Sequence, residues 1–153
     1  MKKIISILLA AVALLTICPF VSVSAQGKTV GSDIIYLDDG GYILVEVNDE
    51  YSITRAAVTK NKNYTRYNGD SEAQWKITLT GSFSYNGTTS SCSSCSCTVT
   101  IYDDIWYTSS KTSWVSGNTA NASVEMARKL LGVTVKRETV DLTLTCDKNG
   151  NFS

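Results

Sequence analysis

Residues 75–87 read Trp75-Lys76-Ile77-Thr78-Leu79-Thr80-Gly81-Ser82-Phe83-Ser84-Tyr85-Asn86-Gly87, and this stretch decides the fold. Trp75, Ile77, Leu79, Phe83 and Tyr85 share one parity with Gly81, while Lys76, Thr78, Thr80, Ser82 and Ser84 hold the other. Successive side chains of a β-strand point to opposite faces, so a period of two with every bulky group in phase predicts a long half-buried strand. Gly81 interrupts the apolar series and predicts a bulge or kink. Asn86-Gly87 supplies a hairpin turn, and Cys97, Val99 and Ile101, alternating with Thr98, Thr100 and Tyr102, form the return strand.

The same grammar extends outward. Residues 33–38 and 42–47 flank Asp39-Gly40-Gly41 as a first hairpin; residues 53–59 and 63–67 flank Lys60-Asn61-Lys62 as a second. Residues 105–115 lead to a turn at Ser116-Gly117-Asn118, after which Ala120, Ala122, Val124 and Met126 alternate with polar residues. That alternation favours a strand over the competing helix at 124–131, because it begins before the helix could. Val133 and Val135 share one parity and Val140, Leu142, Leu144 and Cys146 the other, which predicts a bulge near 137–139. Eight or nine strands with no βαβ rhythm predict an all-β antiparallel sandwich, or a barrel-like sandwich.

In front of this domain stands an export signal. Lys2 and Lys3 precede an apolar run at 4–17, too short for the roughly 20 apolar residues that cross a bilayer. Pro19 ends it, and Val23-Ser24-Ala25 presents small residues for cleavage before Gln26. Residues 1–25 therefore read as a signal peptide and 26–153 as a single secreted domain. Cys18 follows Ile17 rather than a small residue, so it reads as discarded with the signal and not lipidated. Cleavage leaves 12 basic against 14 acidic residues with no clustered Lys/Arg, which predicts no nucleic-acid partner and no membrane partner once the signal is gone.

The chain has no histidine. That absence removes the usual general base, the Ser-His and Cys-His nucleophile pairs and the commonest transition-metal ligand. Acidic pairs occur at Asp38-Asp39 and Asp103-Asp104. Adjacent strand residues point to opposite faces, and both doublets border turns, where Asp is ordinary. No catalytic residue is assigned, and a hydrolase working through carboxylates alone is the weakest reading.

Cys92, Cys95, Cys97 and Cys146 remain after cleavage. An even count in an exported chain predicts disulfides. Cys92 to Cys146 leaves Cys95 with Cys97 as a strained close pair; Cys97 to Cys146 leaves Cys92 with Cys95. A bridge to Cys146 closes a loop of about 50 residues, worth roughly 4 kcal/mol in the chain-entropy model. Tetrahedral zinc needs four thiolates, but a zinc ribbon has two separated Cys-x-x-Cys knuckles and this chain has one, so no metal or cofactor is assigned.

Trp106 and Trp114 are eight residues apart, which on a regular strand places both on one face. Facing inward they are core, the preferred reading; facing outward they form with Tyr107 an aromatic strip suited to a glycan or a protein partner.

Residues 36–43 (YLDDGGYI), 75–87 (WKITLTGSFSYNG), 116–120 (SGNTA), 131–133 (LGV) and 144–150 (LTCDKNG) together resemble a group of small, uncharacterised secreted proteins of Gram-positive (Firmicutes) gut bacteria. The resemblance implies secretion and an all-β domain and carries no activity. The clustered Cys95 and Cys97 depart from the group. A non-catalytic extracellular binding or interaction module is the expectation, with a secreted toxin or bacteriocin-like effector as the alternative.

Overall fold

The computed structural model describes residues 29–50 and 58–153. The signal segment, Cys18 and residues 51–57 lie outside them. Eight strands occur among the described residues: β1 Thr29–Tyr36, β2 Tyr42–Glu50, β3 Val58–Tyr67, β4 Ala73–Tyr85, β5 Ser90–Ile101, β6 Trp106–Ser116, β7 Thr119–Leu130 and β8 Val133–Thr145. They form two antiparallel sheets, five-stranded β1-β2-β3-β4-β5 and three-stranded β6-β7-β8. The chain meanders through the first sheet, crosses between β5 and β6, and folds back as the second, which packs over β3, β4 and β5. The all-β sandwich expectation is met, and residues 124–130 are strand rather than helix.

β4 carries its apolar parity into the core as read: Trp75, Ile77, Leu79 and Phe83 are completely buried, facing Ala120, Ala122, Val124 and Met126 of β7 and Leu142 and Leu144 of β8. Gly81 is not the site of a bulge. The register shift falls between Ser82 and Phe83, with Ser93 the extra residue on β5. A Cβ at position 81 would lie 2.5 Å from the Phe83 ring and 3.0 Å from Ala120 Cβ, so glycine is required because the aromatic ring folds across it.

Two further expectations are corrected. Residues 60–62 form no turn: β3 runs unbroken because this polar run pairs on both sides, Lys60 with Asp49 and Gly81, Lys62 with Val47 and Leu79. Lys62 reaches across the sandwich and its Nζ donates to Thr143 O at 2.9 Å, while Lys60 Nζ lies 4.9 Å from the centre of the Phe152 ring. The bulge expected near 137–139 lies instead where Arg128 and Lys129 oppose Lys136 and Thr134, leaving Val135 unpaired. Val133 and Val135 are exposed.

A buried cation ties the sheets together. Arg66 of β3 is 2% exposed and its guanidinium is spent on three sides. Nη2 donates to Asp39 Oδ2 at 2.5 Å, Nε donates to Glu138 Oε2 at 3.0 Å, and Nη1 donates to Gln74 Oε1. Its plane lies over the Trp106 ring at 4.9 Å, and Trp106 meets Trp75 edge-on at 6.3 Å. Lys136 bridges the same two carboxylates, at 2.7 Å to Asp39 and 2.6 Å to Glu138. Arginine suits this position because its planar fork can satisfy several acceptors while stacking on an indole.

Removing Arg66 strips a buried cation from Glu138 and Asp39, leaves Gln74 Oε1 without its donor and takes away the contact with Trp106, with Lys136 alone left to bridge the two carboxylates. Arg66→Ala is expected to lower unfolding stability by about 3–5 kcal/mol in urea titration, by that reasoning. The hydrogen bond from Lys136 is the main reason the Asp39 carboxyl is held down at about 2 against an ordinary 3.8. A depressed carboxylate contributes stability above its unfolded value and loses it as pH falls toward the folded one. The protein should therefore lose stability between about pH 4 and pH 2 through this group. Because the Asp39 side chain is 38% exposed, solvent screening limits the effect to about 1 kcal/mol. Asp39→Asn should flatten that part of a stability-versus-pH curve.

Candidate functional site

The two tryptophans of β6 point to opposite faces, so the expectation of one shared face is corrected. Thr108 pairs with Met126 and Ser110 with Glu125, leaving Ser109 as an inserted residue that reverses parity between them. Trp106 is core, 2% exposed beneath Arg66, while Trp114 stands outward at 49%. Tyr107 is half-buried; its hydroxyl shares a 2.8 Å hydrogen bond with Thr134, and Lys129 Nζ lies 4.3 Å from its ring centre. Tyr107 is thus committed to the β7–β8 hairpin and stands apart from Trp114.

Register defines what surrounds Trp114. It opposes Asn121 on β7, which opposes Thr143 on β8; Thr112, Ser123 and Asp141 form the next row. Ser116, Thr119 and Thr145 form the row on the other side. These side chains share the outward parity of the three-stranded sheet, whose inward parity is spent on Ala120, Ala122, Val124, Leu142 and Leu144. Ser123 Oγ donates to Asp141 Oδ1 at 2.7 Å, and the Thr119 and Thr145 hydroxyls meet at 3.0 Å. Further along, Glu125 accepts from Arg137, whose Nη1 also donates to Ser109 Oγ at 2.9 Å. Hydrogen bonding from Ser109, then from Arg137, lowers the Glu125 carboxyl below its ordinary range.

The outcome is one large aromatic plate on the edge strand of a floor of hydroxyl, amide and carboxylate groups. Strand spacing of about 4.8 Å makes a three-strand floor roughly 10 Å across. Asp141 and Thr143 were not singled out from sequence, and Asn121 and Ser123 stood out only as a chance match to a glycosylation sequon. The parity of 121 and 123 was legible, but their partnership with Trp114 on one side and β8 on the other needed register.

Three of the cysteines lie in the other sheet, on β5, and Cys146 follows the end of β8. Cys92, Cys95 and Cys97 pair with Phe83, Gly81 and Leu79, so all three take the core-facing parity of β5. No disulfide joins the four thiols in this structure. Cys95 and Cys97 stand two residues apart on one strand, a separation of roughly 6.6 Å that keeps their parallel Cβ atoms well beyond the ~3.8 Å a bridge requires. Cys92 and Cys146 are brought to one turn: their amides donate to the adjacent carbonyls of Gly117 (2.9 Å) and Asn118 (3.1 Å). Burial pushes the Cys92, Cys97 and Cys146 thiols above the ordinary range, which disfavours the reactive thiolate.

Asp103 and Asp104 line an open cavity of about 480 Å³ together with Asn68, Glu72, Gln74 and Tyr102. Asp103 spends Oδ1 on the Ile105 amide at 3.2 Å and Oδ2 on Gln74 Nε2 at 3.3 Å, while Glu72 Oε2 accepts from Asn68 Nδ2 at 3.0 Å. These carboxylates hold the β3–β4 and β5–β6 connections in place. Asp38-Asp39 is drawn elsewhere, with Asp39 bound to Arg66.

No protein-family model, curated protein or solved structure matches the chain.

The split between the tryptophans separates their mutational effects. Trp106→Ala should cost about 3–5 kcal/mol, as for other large-to-small aromatic core changes, and Trp114→Ala less than about 0.5 kcal/mol, as for surface substitutions. Urea titrations followed by far-ultraviolet circular dichroism measure both.

Proposed function

We propose that the chain is a secreted, non-catalytic binding module that holds an extracellular glycan on the outer face of β6, β7 and β8, with Trp114 as the stacking platform. The observation that carries this is Trp114 itself, half exposed and alone among small hydrogen-bonding side chains. A pyranose ring has an apolar C–H face and a rim of hydroxyls. It therefore calls for one aromatic plate with donors and acceptors at the same level. Protein interfaces, by contrast, concentrate several aromatic and aliphatic anchors at a dry centre. The absence of histidine and the use of Asp103 and Glu72 as loop ties support a binding role over hydrolysis.

Export also bears on the thiols. In an oxidising compartment Cys92 and Cys146 are the pair favoured for a disulfide, because they flank one turn while Cys95 and Cys97 are held apart by the strand. Bond formation passes two electrons and two protons to an exchanging disulfide, leaving Cys95 and Cys97 reduced.

Binding is tested by affinity electrophoresis through gels containing plant and bacterial polysaccharides, and by pull-down on insoluble cellulose, chitin and cell wall. The wild type should be retarded or retained by one class, and Trp114→Ala should lose that binding while melting at the same temperature. Unchanged binding by Trp114→Ala, or binding to no member of the panel, overturns the proposal. For the thiols, a non-reducing peptide map of protein recovered from culture medium should join the Cys92 and Cys146 peptides. Cys146→Ser should then lower stability by up to about 4 kcal/mol, the loop-closure value.

A further inference from the structure

We propose that the tip of the β7–β8 hairpin docks onto an anionic lipid surface, with Leu130, Leu131, Val133 and Val135 entering the interface and Arg128 and Lys129 meeting the phosphates. The inference is independent of the glycan reading and concerns the end of the sandwich that carries Tyr107.

The hairpin closes on the pair Leu130 and Val133 through Leu131-Gly132, both with positive φ (50° and 81°). This is the two-residue turn that Asn-Gly makes without strain. A leucine there adopts a left-handed backbone that costs any residue with a β-carbon. Its side chain recovers nothing from the fold, being 97% exposed, and Leu130, Val133 and Val135 are 60%, 64% and 54% exposed. No residue from Arg128 to Thr139 is buried, so the hairpin end stands clear of the core. Four contiguous aliphatic side chains at a projecting apex are a surface made to be covered by something else.

Charge identifies what covers it. Residues 126–137 contain Arg128, Lys129, Lys136 and Arg137 and no carboxylate. The sequence separates the two dibasic pairs, but register sets Arg128 opposite Lys136 and Arg137 opposite Ala127, forming a collar behind the apolar tip. Lys136 is held by Asp39 and Glu138, and Arg137 by Glu125. Arg128 has no ion-pair partner among the described residues, and Lys129 rests only on the Tyr107 ring. Val133 to Val135 spans roughly 7 Å of strand, within the ~5–10 Å to which apolar faces sink below lipid headgroups. Tyr107, with an apolar ring and a bonded hydroxyl, sits at the level where aromatic residues border membranes. A second copy docking tip to tip would press two such collars together, so like-charge repulsion disfavours it.

The experiment is co-sedimentation of the mature chain with vesicles of phosphatidylcholine alone or mixed with phosphatidylglycerol. The chain should bind the mixed vesicles, bind phosphatidylcholine far less, and be released at least about tenfold by high salt, since headgroup attraction is screened. Leu131→Asn should fold with equal or greater thermal stability, because Asn tolerates the left-handed turn, and bind about tenfold less. Arg128→Gln with Lys129→Gln should remove the preference for phosphatidylglycerol. Trp114→Ala should bind vesicles normally, which keeps this proposal separable from the glycan site. Absence of binding to mixed vesicles overturns the proposal, as does full binding by Leu131→Asn. A concentration-dependent dimer abolished by Leu131→Asn also overturns it, by making the tip a self-interface.

Discussion

A guanidinium buried between two β-sheets constrains everything around it. Arg66 stands on β3 of the five-stranded sheet, yet its acceptors come from the β1–β2 turn (Asp39), from β4 (Gln74) and from β8 of the opposite sheet (Glu138), and its plane rests on Trp106 of β6. Apolar packing brings two sheets together without fixing their offset, because aliphatic contacts are non-directional. A buried charge cannot tolerate such freedom: an acceptor displaced by an ångström leaves a desolvated ion unpaired. The network therefore acts as a registration point for the sandwich at the end where β6 begins.

From that point the single-residue insertions decide what each strand offers to solvent. Ser93 on β5, Ser109 on β6 and Val135 on β8 are each left without a partner in register. At Ser109 the consequence is the separation of two tryptophans. Upstream, Trp106 is drawn under Arg66; downstream, Trp114 is turned out to the polar face. Without the insertion both rings would compete for one side. Val135 lies in the hairpin end that leaves the core with its aliphatic groups uncovered.

The two surfaces that result are chemically distinct and lie on different parts of the three-stranded sheet. One is a polar floor with a single aromatic plate, organised by Ser123-Asp141 and Thr119-Thr145 hydrogen bonds. The other is a narrow apolar apex backed by cations.

Much of the architecture was legible locally. The parity of Trp75, Ile77, Leu79 and Phe83, the hairpin at Asn86-Gly87 and the alternation of Ala120 to Met126 are properties of consecutive residues, because strand side chains alternate whatever the neighbouring strand does. Turn residues and the absence of histidine were equally plain. Lys60-Asn61-Lys62 misled because polar residues suit a turn and also suit a strand whose cations reach across the sandwich edge. What lay beyond the sequence was relational: the parity of Trp114 after one inserted serine, the meeting of Cys92 with Cys146 at one turn, the union of two dibasic pairs, and the burial of Arg66. Each depends on cross-strand register, and one extra residue in one strand reverses every side chain that follows it. The sequence by itself determined that these strands would form and which residues could fill a core. Only the tertiary structure, through hydrogen-bonded pairing and a buried charge that admits one alignment, decided which faces meet and which stay exposed to solvent.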